Sequence, residues 1–235
     1  MQLRLRRLLT VLFSGIYLVV TAVSGLAAEG RAVLVCTPEK CVSSWAKASD
    51  GGLVANIIGA FQVDYKEYTI SGSRGQFSQP PQDKTKATTR LRAVVTESPR
   101  LSQSGPDSFE MTAGKQIDID LEDESITATG GVRITTKETV ITAGQLVGGP
   151  LAHMQSVIEQ AVAELDRDFA TLVQLWLAET NAEDRLMLIE GEVKASDPSF
   201  TFNGQRLVAN ISTESYLFIG PHVMELNITE EEGSD

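Results

Sequence analysis

Few residues of this chain are of the types that do covalent or metal chemistry. The two histidines, His153 and His222, have no carboxylate or cysteine at metal-ligand spacing, and no HExxH pattern occurs. Neither a zinc site nor acid–base catalysis therefore has a constellation behind it. No serine lies in a GxSxG elbow, so a hydroxyl nucleophile of that kind would lack its activating base. The glycine pairs in "GGV" and "GGP" are not phosphate loops: the first falls between strand patterns, and neither continues to a lysine and a hydroxyl. Asp118 and Asp120 in "IDIDL" share one strand face, but it is the polar face, where solvation accounts for them. The chain reads as a non-enzyme that needs no cofactor and no metal.

Cys36 and Cys41, in "CTPEKC", are the only cysteines. Their spacing is not that of a redox CxxC, and no nearby residues complete a zinc set. In an exported chain such a pair favours a disulfide closing a small loop. Export is read from the start of the sequence. "MQLRLRR" places Arg4, Arg6 and Arg7 ahead of a 21-residue apolar run, Leu8 to Ala28, that ends in small residues. Residues 1–28 thus read as a secretory signal, with a mature chain from near Glu29. The same run is long enough to stay uncut as a membrane anchor, since about 20 residues span a bilayer. Both alternatives put the body of the protein in the periplasm of a bacterium.

The charge balance limits the partners. The net charge is −11, and loss of the three arginines of the head makes it −14. Nucleic acid is excluded, because its recognition rests on basic patches. An anionic membrane surface would not attract such a chain unaided. The C-terminal residues 229–235 read as a solvated acidic tail.

The residues that do form a pattern are apolar. "GGVRITTKETVITAGQLV" (130–147) aligns without gaps on "GEVKASDPSFTFNGQRLV" (191–208), and more weakly on "GAFQVDYKEYTISGSRGQ" from Gly59. "FEMTAGKQI" from Phe109 matches the second half alone. Val132, Ile134, Thr139, Ile141 and Ala143 correspond to Val193, Ala195, Phe200, Phe202 and Gly204, and to Phe61, Val63, Tyr68, Ile70 and Gly72. Within each half these positions lie two apart, so in a strand they share a face, while polar residues fill the places between. Each unit is strand, polar turn, strand. A unit this small cannot bury its apolar face alone, so copies stack edge to edge into a long sheet that folds over on itself.

One segment breaks the pattern. From Pro150, apolar residues recur with the 3.6 period of an amphipathic helix, which predicts one helix over 150–182, inserted between a β part at 29–149 and a β part at 183–228. Such a helix covers one side of the sheet, gates a groove or dimerises. Residues 79–90 form a polar, proline-bearing loop.

"FEMTAGKQIDIDLEDESITATGGVRITTKETVITAGQLV" (109–147) resembles the OstA-like repeat of the LptA family of periplasmic lipopolysaccharide-transport proteins, in its Thr-Ala strands and its Gly-x-Val step. Residues 187–226 repeat the likeness with Gly191 and Val193, and the membrane-tethered LptC relatives share the fold. The resemblance implies an all-β protein: an open, folded-over antiparallel sheet, or β-taco, whose inner face accepts acyl chains. Val132, Ile134, Ile141, Val193, Phe200 and Phe202 would line it, with Phe61 and Ile70 in the first copy. Implied partners are lipopolysaccharide or a similar amphipathic lipid, and other OstA-like components or further copies of the chain joined by strand-edge pairing towards the outer membrane. The inserted helix and the balance of charge depart from the family pattern. The same repeats with a solid core would make a structural scaffold or adhesin of the envelope.

Overall fold

The computed structural model describes residues 33–36, 41–49, 52–65, 68–79, 92–105, 108–120, 125–163, 167–198, 200–210, 213 and 215–226. The apolar N-terminal run, the loop at 80–91 and the acidic tail lie outside the described residues. The strands are β1 (Val33–Cys36), β2 (Val42–Lys47), β3 (Leu53–Tyr65), β4 (Tyr68–Gln79), β5 (Arg92–Thr96), β6 (Arg100–Gln103), β7 (Phe109–Ala113), β8 (Gln116–Asp120), β9 (Ser125–Thr135), β10 (Val140–Pro150), β11 (Arg185–Asp197), β12 (Phe200–Asn210) and β13 (Ser215–Leu226). All belong to one sheet in which every pairing is antiparallel. The expected all-β architecture is therefore present.

Three pairs of short strands are each one long strand broken in the middle. β1 and β2 both run against β3, β5 and β6 against β4, and β7 and β8 against β9. Counted this way the sheet is a meander of ten long rungs in chain order. Each rung has two halves, and the halves sort into two leaves. The breaks and bulges line up across the sheet: the register shifts between Ile58 and Phe61, Ala143 and Gln145, Glu190 and Val193, and Gly204 and Arg206. In the broken rungs the same line is marked by Glu97 and Ser98 at positive φ, and by Gly114, whose N–H donates to the Gly131 carbonyl.

This seam explains the repeat. The aligned pairs Gly130-Gly131 and Gly191-Glu192 have φ of 86° and 86°, and of 81° and 49°. The third copy also begins at a positive φ, 100° at Gly59. The repeated unit thus runs from one crossing of the seam to the next, through the outer turn. At Gly191 two demands coincide. Its φ is unfavourable for any residue with a Cβ, and that Cβ would lie 3.1 Å from the Gly144 Cα of the next rung.

The core shows how the leaves are disposed. Ile126, Ala128 and Leu146 of one leaf and Val132, Ile134 and Ile141 of the other are each no more than 3% exposed and belong to one cluster. Among the described residues no helix covers that face, because both helices pack on the opposite one. A flat sheet would leave these residues in water, so the leaves must face each other. The sheet is folded over along the seam.

Residues 150–182 form two helices rather than the single one expected, α1 (Leu151–Val162) and α2 (Arg167–Ala178). Met154, Ile158 and Val162 of α1, with Val173 and Leu177 of α2, bury Leu186, Leu188, Val208 and Ile219 on the outside of the first leaf, over β10 to β13. The size of this patch accounts for the break. Four strands spaced about 4.8 Å apart make a surface roughly 15–20 Å across. A 12-residue helix is about 18 Å long, whereas an unbroken helix over the whole segment would run past it by more than 20 Å. Leu186 to Ile189 are all buried as a result, at 0–1% exposure, with one side of β11 against the helices and the other against the opposite leaf.

Polar contacts fix the hairpin at both ends. Asp184 is buried, accepts hydrogen bonds from the Asn210 side chain (2.9 Å) and the Asn181 N–H (3.0 Å), and its carbonyl accepts from the Leu151 N–H at the start of α1. At the other end Arg206 donates to the Ala161 carbonyl at 2.6 Å and pairs with Glu190 at 2.8 Å.

Two outcomes follow from the seam. Gly191→Ala should lower unfolding free energy by about 1–3 kcal/mol in urea titration, the cost of a strained backbone position. Cys36 and Cys41 are disulfide-bonded, as expected, and the bridge spans the break between β1 and β2. Replacing both by serine should cost about 2 kcal/mol by loop entropy, measured in the same way.

Candidate functional site

The antiparallel ladder turns a face into a row. In the second leaf the Cα partners run Leu34, Val63, Ile70, Leu101, Met111, Ile134, Ile141, Ala195, Phe202, Met224, one residue from each of the ten rungs. Not one is polar. In the first leaf a matching row runs from Ile57 through Gly75, Val95, Ile117, Ala128, Leu146, Ile189 and Leu207 to Phe218. At about 4.8 Å per rung the two rows extend roughly 40 Å.

The candidate residues fall on this inner face. Val132, Ile134, Ile141, Val193 and Phe202 are 0–3% exposed and lie in the main cluster, which Ile70 also touches. Phe61 is equally buried but belongs to a separate cluster at the β1–β5 end, with Ile57, Phe77 and Val95. Ile70 packs against both clusters and so joins them. Phe200 is paired at its Cα with Leu226, and its side chain lies outside the described residues.

The inner face is packed. The side chains of the two leaves fill the space between them to near-zero exposure. A hollow of about 510 Å³ is lined mainly by outward-facing positions of the second leaf, Thr142, Lys194, Asn203, Val223 and Glu225, and reaches Ala195 and Phe202. At the described residues the trough expected from the resemblance is closed in this conformation.

Several inner-face residues escape the sequence pattern. Leu101 and Gln103 follow the Glu97-Ser98-Pro99 break, which removes β6 from the frame of the repeat. Only their two-residue spacing marks them. Phe109 and Met111 are visible in the half copy but carry no match to a complete unit.

The residues of chemical type are scattered. His153 lies against Gly149 on α1, and His222 is exposed near the last rung, stacked on Phe218 with ring centroids 5.5 Å apart. Asp118 forms a two-bond ion pair with Arg92 across β5 and β8 on the outer face, at 2.8 and 3.2 Å. Among the described residues no three His, Cys, Asp or Glu side chains are grouped to hold a metal ion.

Both ends of the sheet carry exposed apolar side chains: Val35, Val42 and Ile58 at one, Val223 and Met224 at the other. Among the described residues β13 pairs only with β12, and β1 and β2 only with β3. The chain matches no protein-family model, and no curated protein matches it significantly.

Truncating the shared row tests how tightly the leaves are packed. Ile141→Ala should cost about 2–5 kcal/mol, the range for a buried aliphatic that leaves a cavity. Leu175→Ala, at a position 58% exposed on α2, should change stability by less than about 0.5 kcal/mol, both variants being measured by urea titration.

Proposed function

We propose that this protein is a non-catalytic lipid carrier of a bacterial envelope, exported to the periplasm. It takes the acyl chains of lipopolysaccharide or a similar amphipathic lipid onto its inner face and passes them towards the outer membrane. One observation carries the reading: an unbroken apolar row crosses all ten rungs and ends at two sheet edges that have no further partner among the described residues. A site for one small ligand needs a single hollow, whereas a path needs each step to resemble the last. The likeness of residues 109–147 and 187–226 to the OstA-like repeat supports the same reading.

Loading requires the leaves to part. Away from the seam the ladder hydrogen bonds lie within a leaf, so a wider angle between leaves changes torsions at the seam, where glycines are concentrated, and keeps the register within each leaf. Separation exposes apolar surface, which the incoming chain covers again. At about 0.8 kcal/mol per buried CH₂, a chain of a dozen methylenes contributes about 10 kcal/mol towards replacing the contacts between leaves. The helical hairpin braces the first leaf only, leaving the second free to move. The exposed apolar residues at the end rungs would then meet the next component, strand edge to strand edge.

The packed interior favours a second reading, an envelope scaffold whose leaves never part and whose partners are proteins. Photocrosslinking in cells separates the two. A crosslinking amino acid at Ile141 or Phe202 should form a lipid adduct if chains pass between the leaves. Protein-only adducts, or none, from both positions would leave the scaffold.

A further inference from the structure

We propose that Gln103 is a polar subsite within the apolar inner face, accepting a hydrogen bond from a hydroxyl or amide N–H carried on an acyl chain close to its polar end. The proposal rests on the carrier reading. Gln103 closes β6 two residues after Leu101, so its side chain points to the same inward face. It is 7% exposed, and its Cα partners on either side are Tyr68 and Phe109, at 5% and 3%. Its Oε1 is buried and accepts no hydrogen bond from the described residues.

A buried acceptor without a donor is costly, and folded proteins leave few of them. An apolar side chain would fill this place at lower cost, as Phe109 does at the paired position of the neighbouring rung. The position suits a lipid. Gln103 lies four residues beyond Pro99 at the seam, about 13 Å out along the strand, at the last residue of β6, on the rim of the leaf away from the seam. An amphipathic chain lying between the leaves has its polar end at that rim and its methyl end deeper. The chemistry of the missing partner is set by the acceptor. A phosphate or a plain ester offers only further acceptors, whereas a hydroxylated or amide-linked acyl chain brings a donor into an apolar setting.

The test uses the purified full chain and a matched pair of probes, 3-hydroxytetradecanoate and tetradecanoate, in calorimetric titrations. The wild-type protein should bind the hydroxylated probe about tenfold more tightly, the effect of one buried hydrogen bond. Gln103→Leu should bind both equally and melt no lower than wild type, and Gln103→Met provides the same comparison should the branched side chain disturb folding. If wild type binds both probes without preference, or the variants keep the preference, the subsite is overturned and the carrier reading stands. If wild type binds neither probe, the carrier reading falls and the subsite with it.

Discussion

The ladder of antiparallel pairing is the constraint on which the rest depends. Once two rungs are in register, a bend in one must meet a bend in the next, or hydrogen bonds are lost on both sides of it. Ten rungs therefore share a single line of bulges, breaks and glycines. The repeat in the sequence records that line: each copy spans two successive crossings, joined by an outer turn. The two leaves, the rows of apolar side chains and the disulfide across the first rung all take their places from it.

Folding along the seam makes the inner surface of one leaf the cover for the other. The same contacts that stabilise the closed protein are those a lipid would replace, so stability and loading draw on one surface. This coupling makes the unequal treatment of the leaves informative. The hairpin of α1 and α2 stiffens only the first leaf, through Asp184, Arg206 and the patch around Leu188 and Val208. The second leaf has no such brace among the described residues, and it carries both the unbroken apolar row and Gln103.

Much of this organisation was legible in the sequence, for local reasons. Alternation identifies Val132, Ile134 and Ile141 as one face, and the gapless match to Val193 and Phe202 extends that face to two more rungs. Illegible parts are those where the frame is interrupted. The positive φ at Glu97 and Ser98 breaks the fourth long rung, the first after the first copy, so Leu101 and Gln103 stand outside any alignment. The helical segment kept its period through the break between α1 and α2, because the positions facing the sheet follow the same spacing on either side.

The sequence by itself determined the strand faces, the outer turns, the positions of the seam glycines and the amphipathic insertion, because each is written within a few residues of chain. Only the tertiary structure decided that the leaves close on each other, that the insertion is a hairpin lying outside the first leaf, and that residues such as Leu186 and Leu188 face helix rather than solvent. The reason is one of range. An alternating pattern says which side of a strand is apolar, but what covers that side depends on the angle at the seam and on segments far along the chain, which no local pattern encodes.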